Sequence, residues 1–432
     1  MSIELLPLGQ TCNLKCTFCY EDPMRHAGNT DPHGGQYDLE KMWAAALAEG
    51  VGQPDGRGGK TGFAFFGGEP LLVPLKDLEQ VWVWGQQLGV PMSIQTNASL
   101  ITARHLDLFH RYGVSVGVSV DGPGMLNDLR KSATDEATAK TTARSQQALL
   151  DLLARKIPVS LISTLYQQNV GTDASVSQYI AWLEDLRDRG LTSVNFHLLE
   201  VDDPAMQAQV LAPARQITVL RLLRTRLTGM TLLPLASMRK LLLGEDEDHV
   251  ECIWHACDPY TTTAVRGIDG QGGRGNCGRT NKDGVPYVKA DVHGHERQLA
   301  LYLTPQEHGG CQGCRFFFAC KGECPGTGEG AEWRSRTTHC ETLMALFGDL
   351  EQELIAEGKS PISSSLTRPI VEAGLLQAWQ TGRTVSIAST LRAGDGRGNV
   401  PHGDAPHGDI PHGDHTDAAQ PVRTHGDHGD SR

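Results

Sequence analysis

From the N-terminus to about Leu227 the chain alternates between two periods, and that alternation limits the fold more than any other feature. Short runs rich in β-branched and aromatic residues fall at 3–8, 62–66, 91–96, 114–120, 158–164 and 192–199. Longer amphipathic runs lie between and after them, at 39–49, 75–88, 103–112, 138–156, 174–189 and 206–227. The short runs read as strands and the long ones as helices. Six strand–helix units in series predict a parallel sheet, because parallel neighbours need a long crossover that a helix supplies. Right-handed crossovers at every step curl such a sheet. The expected fold class is therefore α/β, a partial (β/α)6 barrel. Sheets of this kind carry their chemistry at the carboxyl ends of the strands, and unusual residues recur there.

After the first run come Cys12, Cys16 and Cys19, spaced C-x3-C-x2-C on one loop. Three thiols on one loop can turn toward one point, but they leave a four-coordinate partner one ligand short. Structural zinc wants four closed ligands; an iron–sulfur cluster held by three thiolates keeps one iron open. After the second run comes Gly67-Gly68-Glu69-Pro70, where glycines let the backbone approach a ligand and Glu69 offers a carboxylate to an ammonium group. The third run ends in Gln95-Thr96-Asn97-Ala98 and the fourth in Ser119-Val120-Asp121-Gly122-Pro123. In the sixth, alternation places Asn195 and His197 toward the barrel interior if Phe196 and Leu198 pack on the helices. Residues 54–61 nearly spell a phosphate-binding loop. Pro54 takes its first glycine position and a strand follows rather than precedes it, so that reading fails.

The cysteine loop resembles that of the radical S-adenosylmethionine (SAM) superfamily, C-x3-C-x-aromatic-C, with Phe18 as the aromatic. The resemblance implies a [4Fe–4S] cluster on Cys12, Cys16 and Cys19. SAM would chelate the open iron and be cleaved reductively to a 5′-deoxyadenosyl radical that takes hydrogen from the substrate. Residues 67–70 resemble the family's GGEP motif on the amino group of SAM, which assigns Gly67, Gly68 and Glu69 to the cofactor. Residues 95–98 resemble its Q-T-N-G, assigning Asn97 likewise; Ala98 replaces the usual Gly, so a differently shaped turn is expected. Residues 119–123 are similar to the S-x-D-G-P of peptide-modifying members, which implies that Ser119 contacts SAM. Arg144, on the following helix, is a candidate for the SAM carboxylate.

The remaining eight cysteines lie between Cys252 and Cys340. Their densest part, C-x2-C-x5-C-x3-C with Cys340 beyond, resembles the SPASM extension of peptide maturases. Carried over, Cys252, Cys257, Cys277 and Cys324 hold one auxiliary [4Fe–4S] cluster. Cys311, Cys314, Cys320 and Cys340 hold a second, and every cysteine is then assigned. Zinc sites of four thiolates have similar spacings and remain the other reading. Sulfatase-maturating members place an Asp after the third SPASM cysteine; here Gly278 follows Cys277, so formylglycine formation is not expected. Residues 267–275 read as a glycine-rich turn. Leu343, Leu346, Phe347, Leu350 and Leu354 form a helical stripe. The expected domains are a core at 1–235, a SPASM domain at 236–358, a helical linker at 359–392 and a tail at 393–432.

Net charge is −12, with no basic cluster, which argues against nucleic acid or an anionic membrane as partner. No apolar run approaches the roughly 18 residues of a membrane span, and the N-terminus lacks a secretory signal. The chain reads as cytoplasmic, where disulfides are rare, so eleven cysteines point to metal. With the first strand at the start, no N-terminal leader-recognition domain is expected. The tail repeats Pro-His-Gly-Asp from Pro401, Pro406 and Pro411, and reads as disordered. It suits weak divalent-metal binding, or it is a substrate fused to its own enzyme.

Together these features predict an oxidoreductase that modifies a peptide or protein side chain, by cross-link or desaturation. Two auxiliary clusters would relay the electron, and a flavodoxin or ferredoxin would donate one. The alternatives are a small-molecule dehydrogenase or epimerase, and a non-catalytic zinc- or iron-binding adaptor. Neither the substrate nor the catalytic proton acceptor is legible.

Overall fold

The computed structural model describes residues 3–22, 35–200, 204–247, 250–258, 265–275, 277–280 and 294–394. The His-Gly-Asp tail lies outside them.

All six expected strands form: β1 Ile3–Leu6, β2 Phe63–Phe65, β3 Met92–Thr96, β4 Ser115–Ser119, β5 Val159–Leu165 and β6 Ser193–Leu198. They pair in parallel in sequence order, and the sheet continues at both edges to nine strands. On one side β7, Thr231–Leu233, pairs with β6. On the other, β8, Arg266–Asp269, runs parallel to β1 with Ile3 opposite Arg266, and β9, Arg274–Gly275, turns back on it. The expectation of six strands is thus too small. The added strands, of three, four and two residues, lie outside the six strand–helix units. The glycine-rich stretch is indeed a turn, closed by Asp269, whose Oδ1 accepts from the Gln271 and Gly273 amides at 2.9 and 2.7 Å. Its flanks, Arg266–Asp269 and Arg274–Gly275, join the same sheet as the first half.

The longer helices in order are α1 Leu39–Ala48, α2 Leu75–Leu88, α3 Ala103–Tyr112, α4 Asp135–Ala154 and α5 Asp173–Asp188. Gly89 and Gly113 end α2 and α3 in the left-handed conformation, each at φ 63°, which glycine adopts without a Cβ penalty. The run expected at 206–227 is broken. A 3-10 segment, Pro204–Gln209, precedes α6, Pro213–Arg226, because Pro213 lacks an amide hydrogen and is suited to the first helical position. Then follow α7 Leu235–Leu243, α8 Glu296–Leu303, α9 Cys340–Ala356, α10 Arg368–Gln380 and α11 Ile387–Gly394.

The stripe on α9 is buried at all five positions, each full burial contributing about 1.5–3 kcal/mol. Phe347 stacks on Phe316 at 5.3 Å and meets Trp254 edge-on. Arg221 of α6 grips Asp349 of α9 through two bonds of 2.7 and 2.8 Å. Among the described residues no helix is long and apolar enough to cross a membrane.

Candidate active site

A cavity of ≈ 160 Å³ lies where the strands β2 to β6 end, and the loop after β1 forms one wall of it. Cys12, Cys16, Phe18 and Cys19 all line it, with Gly67, Gly68, Asn97 and Ser119 from the ends of β2, β3 and β4. The cysteine loop has no regular structure of its own and is held from outside. The Lys15 and Thr17 amides donate to the Lys131 and Leu129 carbonyls at 2.6 and 3.0 Å. Asn13 bridges to β3, donating to Ser99 Oγ at 3.0 Å and accepting from Asn97 Nδ2 at 2.9 Å. Burial pushes the Cys16 thiol far above its ordinary range, with Arg130 opposing and Cys12 and Cys19 adding to the rise. Such thiols ionise only against a strong local cation.

Both glycines of the second motif are needed for close approach. A Cβ on Gly67 would sit 2.3 Å from the Gly9 carbonyl oxygen, and one on Gly68 2.2 Å from that of Thr11. Glu69 is placed differently from the sequence expectation. It is buried, and its carboxylate turns into the neighbouring loops instead of lining the cavity. Oε1 accepts from Thr96 Oγ1 at 2.7 Å and the Leu71 amide at 3.0 Å; Oε2 accepts from the Asn97 amide at 2.8 Å. Its role in this structure is to fix the turn that presents Asn97. The turn also keeps its shape without glycine: Ala98 is buried at φ 63°, a conformation costing an L-residue roughly 1–2 kcal/mol.

Burial raises the Glu69 carboxyl to about 7, against the lowering effect of its three donors. A carboxyl raised on folding binds its proton more tightly in the folded state. Its stabilising contribution is complete below the unfolded value of 4.5 and is lost as pH climbs through about 7. Apparent melting temperature is therefore expected to fall between pH 5 and 8 from this group, as read by circular dichroism. Glu69→Gln should flatten that part of the profile; an unchanged slope would remove the assignment.

Arg144 does not reach the cavity: it is exposed on α4, because the helix turns that position to solvent. Arg130, from the loop after β4, lines the wall beside Phe18, a position the sequence does not signal. Its guanidinium lies 5.3 Å from the Phe18 ring centre. It meets Asp121, which is wholly buried, through Nε–Oδ2 at 2.8 Å and Nη2–Oδ1 at 2.9 Å. Asp121 also accepts from the Thr164 amide at 2.8 Å, so this pair ties the β4 and β5 ends to the cysteine loop. The nine-residue gap between Asp121 and Arg130 gives no periodic signal, which is why it was overlooked.

Ser119 lies on the wall and accepts from Gln95 Nε2 at 2.8 Å. His197 also lines the cavity, as its strand alternation predicted, whereas Asn195 does not. Burial, then the charges of Arg279 and Arg130, lower His197 to about 3, so it is neutral at physiological pH. Glu200 and Arg279 pair across the far wall, and Arg279 stands 5.9 Å from the Tyr20 ring centre. Glu21 is buried beside them and lines the cavity. It fills the space a side chain at 278 would need: a Cβ on Gly278 would lie 2.0 Å from Glu21 Oε1.

The other eight cysteines form two groups. Cys252 feels the charges of Cys257 and Cys324, and Cys277 those of Cys252 and Cys324. Cys320 feels those of Cys311, Cys314 and Cys340. This second four lines one apolar cavity with Phe316, Phe317 and Phe347. Burial raises the thiols of Cys252, Cys277, Cys311, Cys314, Cys320, Cys324 and Cys340, and Cys311 is pushed up to about 12. Among the described residues no three His, Cys, Asp or Glu are close enough together to hold a single metal ion.

The fold resembles that of native anSMEcpe with bound AdoMet and Cp18Cys peptide. The match has a TM-score of 0.61 at 18% identity and covers 82% of this chain and 98% of that one. The chain is 30% identical over 138 residues to a cysteine-type anaerobic sulfatase-maturating enzyme of Clostridium perfringens, covering 30% of this chain and 35% of the relative. It is 28% identical over 131 residues to the serine-type enzyme of Bacteroides thetaiotaomicron, covering 29% and 30%. The chain thus spans about a third of the length of the curated relatives it matches. Residues 6–203, from the end of β1 past β6, match the model of the radical SAM superfamily. With the cysteine loop and most of the cavity wall inside that span, residues 6–203 match the radical SAM superfamily and part of them is similar to the anaerobic sulfatase-maturating enzymes.

Proposed function

We propose that this protein is a radical SAM enzyme that oxidises a side chain of a peptide or protein, by cross-link or desaturation. The observation that carries the reading is the single cavity joining Cys12, Cys16 and Cys19 to Gly67, Gly68, Asn97 and Ser119. Members of the superfamily bind SAM and a [4Fe–4S] cluster, and the residues here fit both. Three thiols on one loop, with burial opposing ionisation at Cys16, suit a multiply charged metal partner, and the glycine pair leaves bare backbone where an amino acid moiety can bond. When bound, the cluster and SAM supply the hydrogen-abstracting radical; the protein aims it and excludes water. Cys12, Cys16 and Cys19 would hold the cluster, with Phe18 packed beside it. Gly67, Gly68 and Asn97 would bind the amino end of SAM, Ser119 its polar groups, and Arg130 takes the carboxylate role first considered for Arg144.

The two further groups of four cysteines would hold auxiliary [4Fe–4S] clusters in a SPASM-like arrangement and receive the electron left when the substrate radical is oxidised. A small flavodoxin- or ferredoxin-type protein would supply the initiating electron. A peptide as substrate is supported by the relatives' names. Sulfatase maturation itself is not proposed, since Gly278 stands where those enzymes place an acid. Incubating the reduced, oxygen-free protein and SAM with peptides encoded beside it, then weighing the products, tests the reading. Loss of two hydrogens from one peptide is expected; deoxyadenosine without any altered peptide would point to a small-molecule substrate.

Gly278 makes a sharper prediction. In Gly278→Ala the new methyl collides with the Glu21 carboxylate and pushes it from the wall. Peptide modification should drop at least about ten-fold, about 1.4 kcal/mol of transition-state stabilisation, while deoxyadenosine release persists. Equal peptide turnover in the variant would show that Glu21 plays no part.

A further inference from the structure

Two consecutive residues of α8 reach to the loops of both auxiliary cysteine groups. Arg297 is 1% exposed, an unusual burial for a permanent cation. Its guanidinium donates to four backbone carbonyls: Trp333 at 2.7 Å, Glu323 and Gly322 at 2.9 Å each, and Ser335 at 3.1 Å. The next residue, Gln298, donates to the Cys257 carbonyl at 3.0 Å.

The segment that Arg297 grips is the one that passes from one group to the other. Cys320 belongs to one four and Cys324 to the other, and the three residues between them are all left-handed. Lys321, Gly322 and Glu323 have φ of 53°, 85° and 60°. Two of these carry a Cβ and a charged side chain, and both side chains are buried. Such a run persists only where its surroundings over-determine it. Lys321 Nζ donates to the Trp254 carbonyl at 2.8 Å, beside Cys252 and Cys257. At Gly322 a Cβ would stand 2.3 Å from Leu301 Cδ1 of the same helix α8, so the crossover is pressed against the element that carries Arg297. The guanidinium also interacts with the charges of Cys324, Cys257 and Cys320, members of both groups.

We propose that Arg297 is a positioning residue shared by both four-cysteine sites: it locks the left-handed Cys320–Cys324 crossover and stands as a fixed positive charge between the two. This rests on reading the eight cysteines as two clusters. Arginine suits the task because its planar fork satisfies several carbonyls at once and keeps its charge when buried, which an ammonium does not match. A buried cation near thiolate-held clusters favours their reduced, more negative states, since local charge is one determinant of their potentials. Both sites should therefore assemble, and shift in potential, together.

The test uses the full chain prepared without oxygen as wild type, Arg297→Gln, Arg297→Lys and Cys340→Ala. It reads iron per chain, the electron paramagnetic resonance of the reduced centres, and deoxyadenosine release. Wild type should hold about twelve irons. Arg297→Gln should fall toward about four, losing both auxiliary signals together while SAM is still cleaved. Any auxiliary iron that survives should titrate at a lower potential at both sites. Cys340→Ala should lose one site only, and Arg297→Lys should recover part of both signals. Full iron and unchanged potentials in Arg297→Gln, or loss confined to one site, would overturn the inference. If Arg297→Gln yields no soluble protein, unequal weakening of the two signals in Arg297→Lys overturns it equally. A wild type with only about four irons would instead sink the two-cluster reading, and the inference with it.

Discussion

Cys16→Ala should lose all cleavage of SAM to methionine and deoxyadenosine and about four of about twelve irons, while the remaining eight stay bound. Cys16 is fixed where it stands. It sits midway along a loop whose backbone is held at Lys15 and Thr17 by the 129–131 segment, so the loop cannot slide another donor into its place. Burial already opposes ionisation of this thiol, and Arg130 only partly offsets it. Two thiolates would leave the cluster under-ligated and open to water. Iron analysis and chromatography of the reaction mixture check the result together. Persistent cleavage, or loss of iron from all three sites, would mean that the loop does not bear the reactive centre.

Asp121→Asn is expected to cost about 3–5 kcal/mol, the usual penalty for stripping one partner from a buried pair. Asp121 is wholly buried, and it accepts from Arg130 and from the Thr164 amide. An amide in its place leaves the Arg130 guanidinium without its counter-charge and turns a donor toward one of these donors. The damage should spread, because Leu129 and Lys131 on either side of Arg130 hold the cysteine loop. Iron at the first site should fall along with the denaturation midpoint. A paired substitution, Asp121→Leu with Arg130→Met, removes both charges and should recover much of the midpoint. It should not recover SAM binding, because Arg130 lines the cavity. If the double variant cleaves SAM as the wild type does, Arg130 is a strut alone.

Much of the site was legible because its parts are local. Cys12, Cys16 and Cys19 lie within one loop, and residues 67–70 and 119–123 each follow a strand with a clear period. What stayed hidden depends on distance along the chain. Glu69 looked like a ligand because a carboxylate beside two glycines advertises itself. Only the fold shows Thr96 and Asn97 arriving 27 and 28 residues later to take up its oxygens. Arg144 and Arg130 are alike in sequence; helix phase exposes one, and a buried aspartate draws in the other. The contact of Glu21 with Gly278 spans most of the chain and has no signature in composition or spacing. The strands β7 to β9 were missed for another reason: they lie outside the repeating strand–helix units, so no alternation announced them.

The pairing of β8 with β1 has a consequence for how far apart two cysteine-bearing segments can lie. One strand runs into the loop that bears Cys12; the other leads through its hairpin to Cys277. Their main chains start out about 4.8 Å apart, the spacing of hydrogen-bonded strands. The distance between these two cysteine-bearing segments is therefore anchored by main-chain ladders, which side-chain replacements leave untouched. Under the proposed function, the cavity wall can vary while the backbone spacing behind it stays fixed.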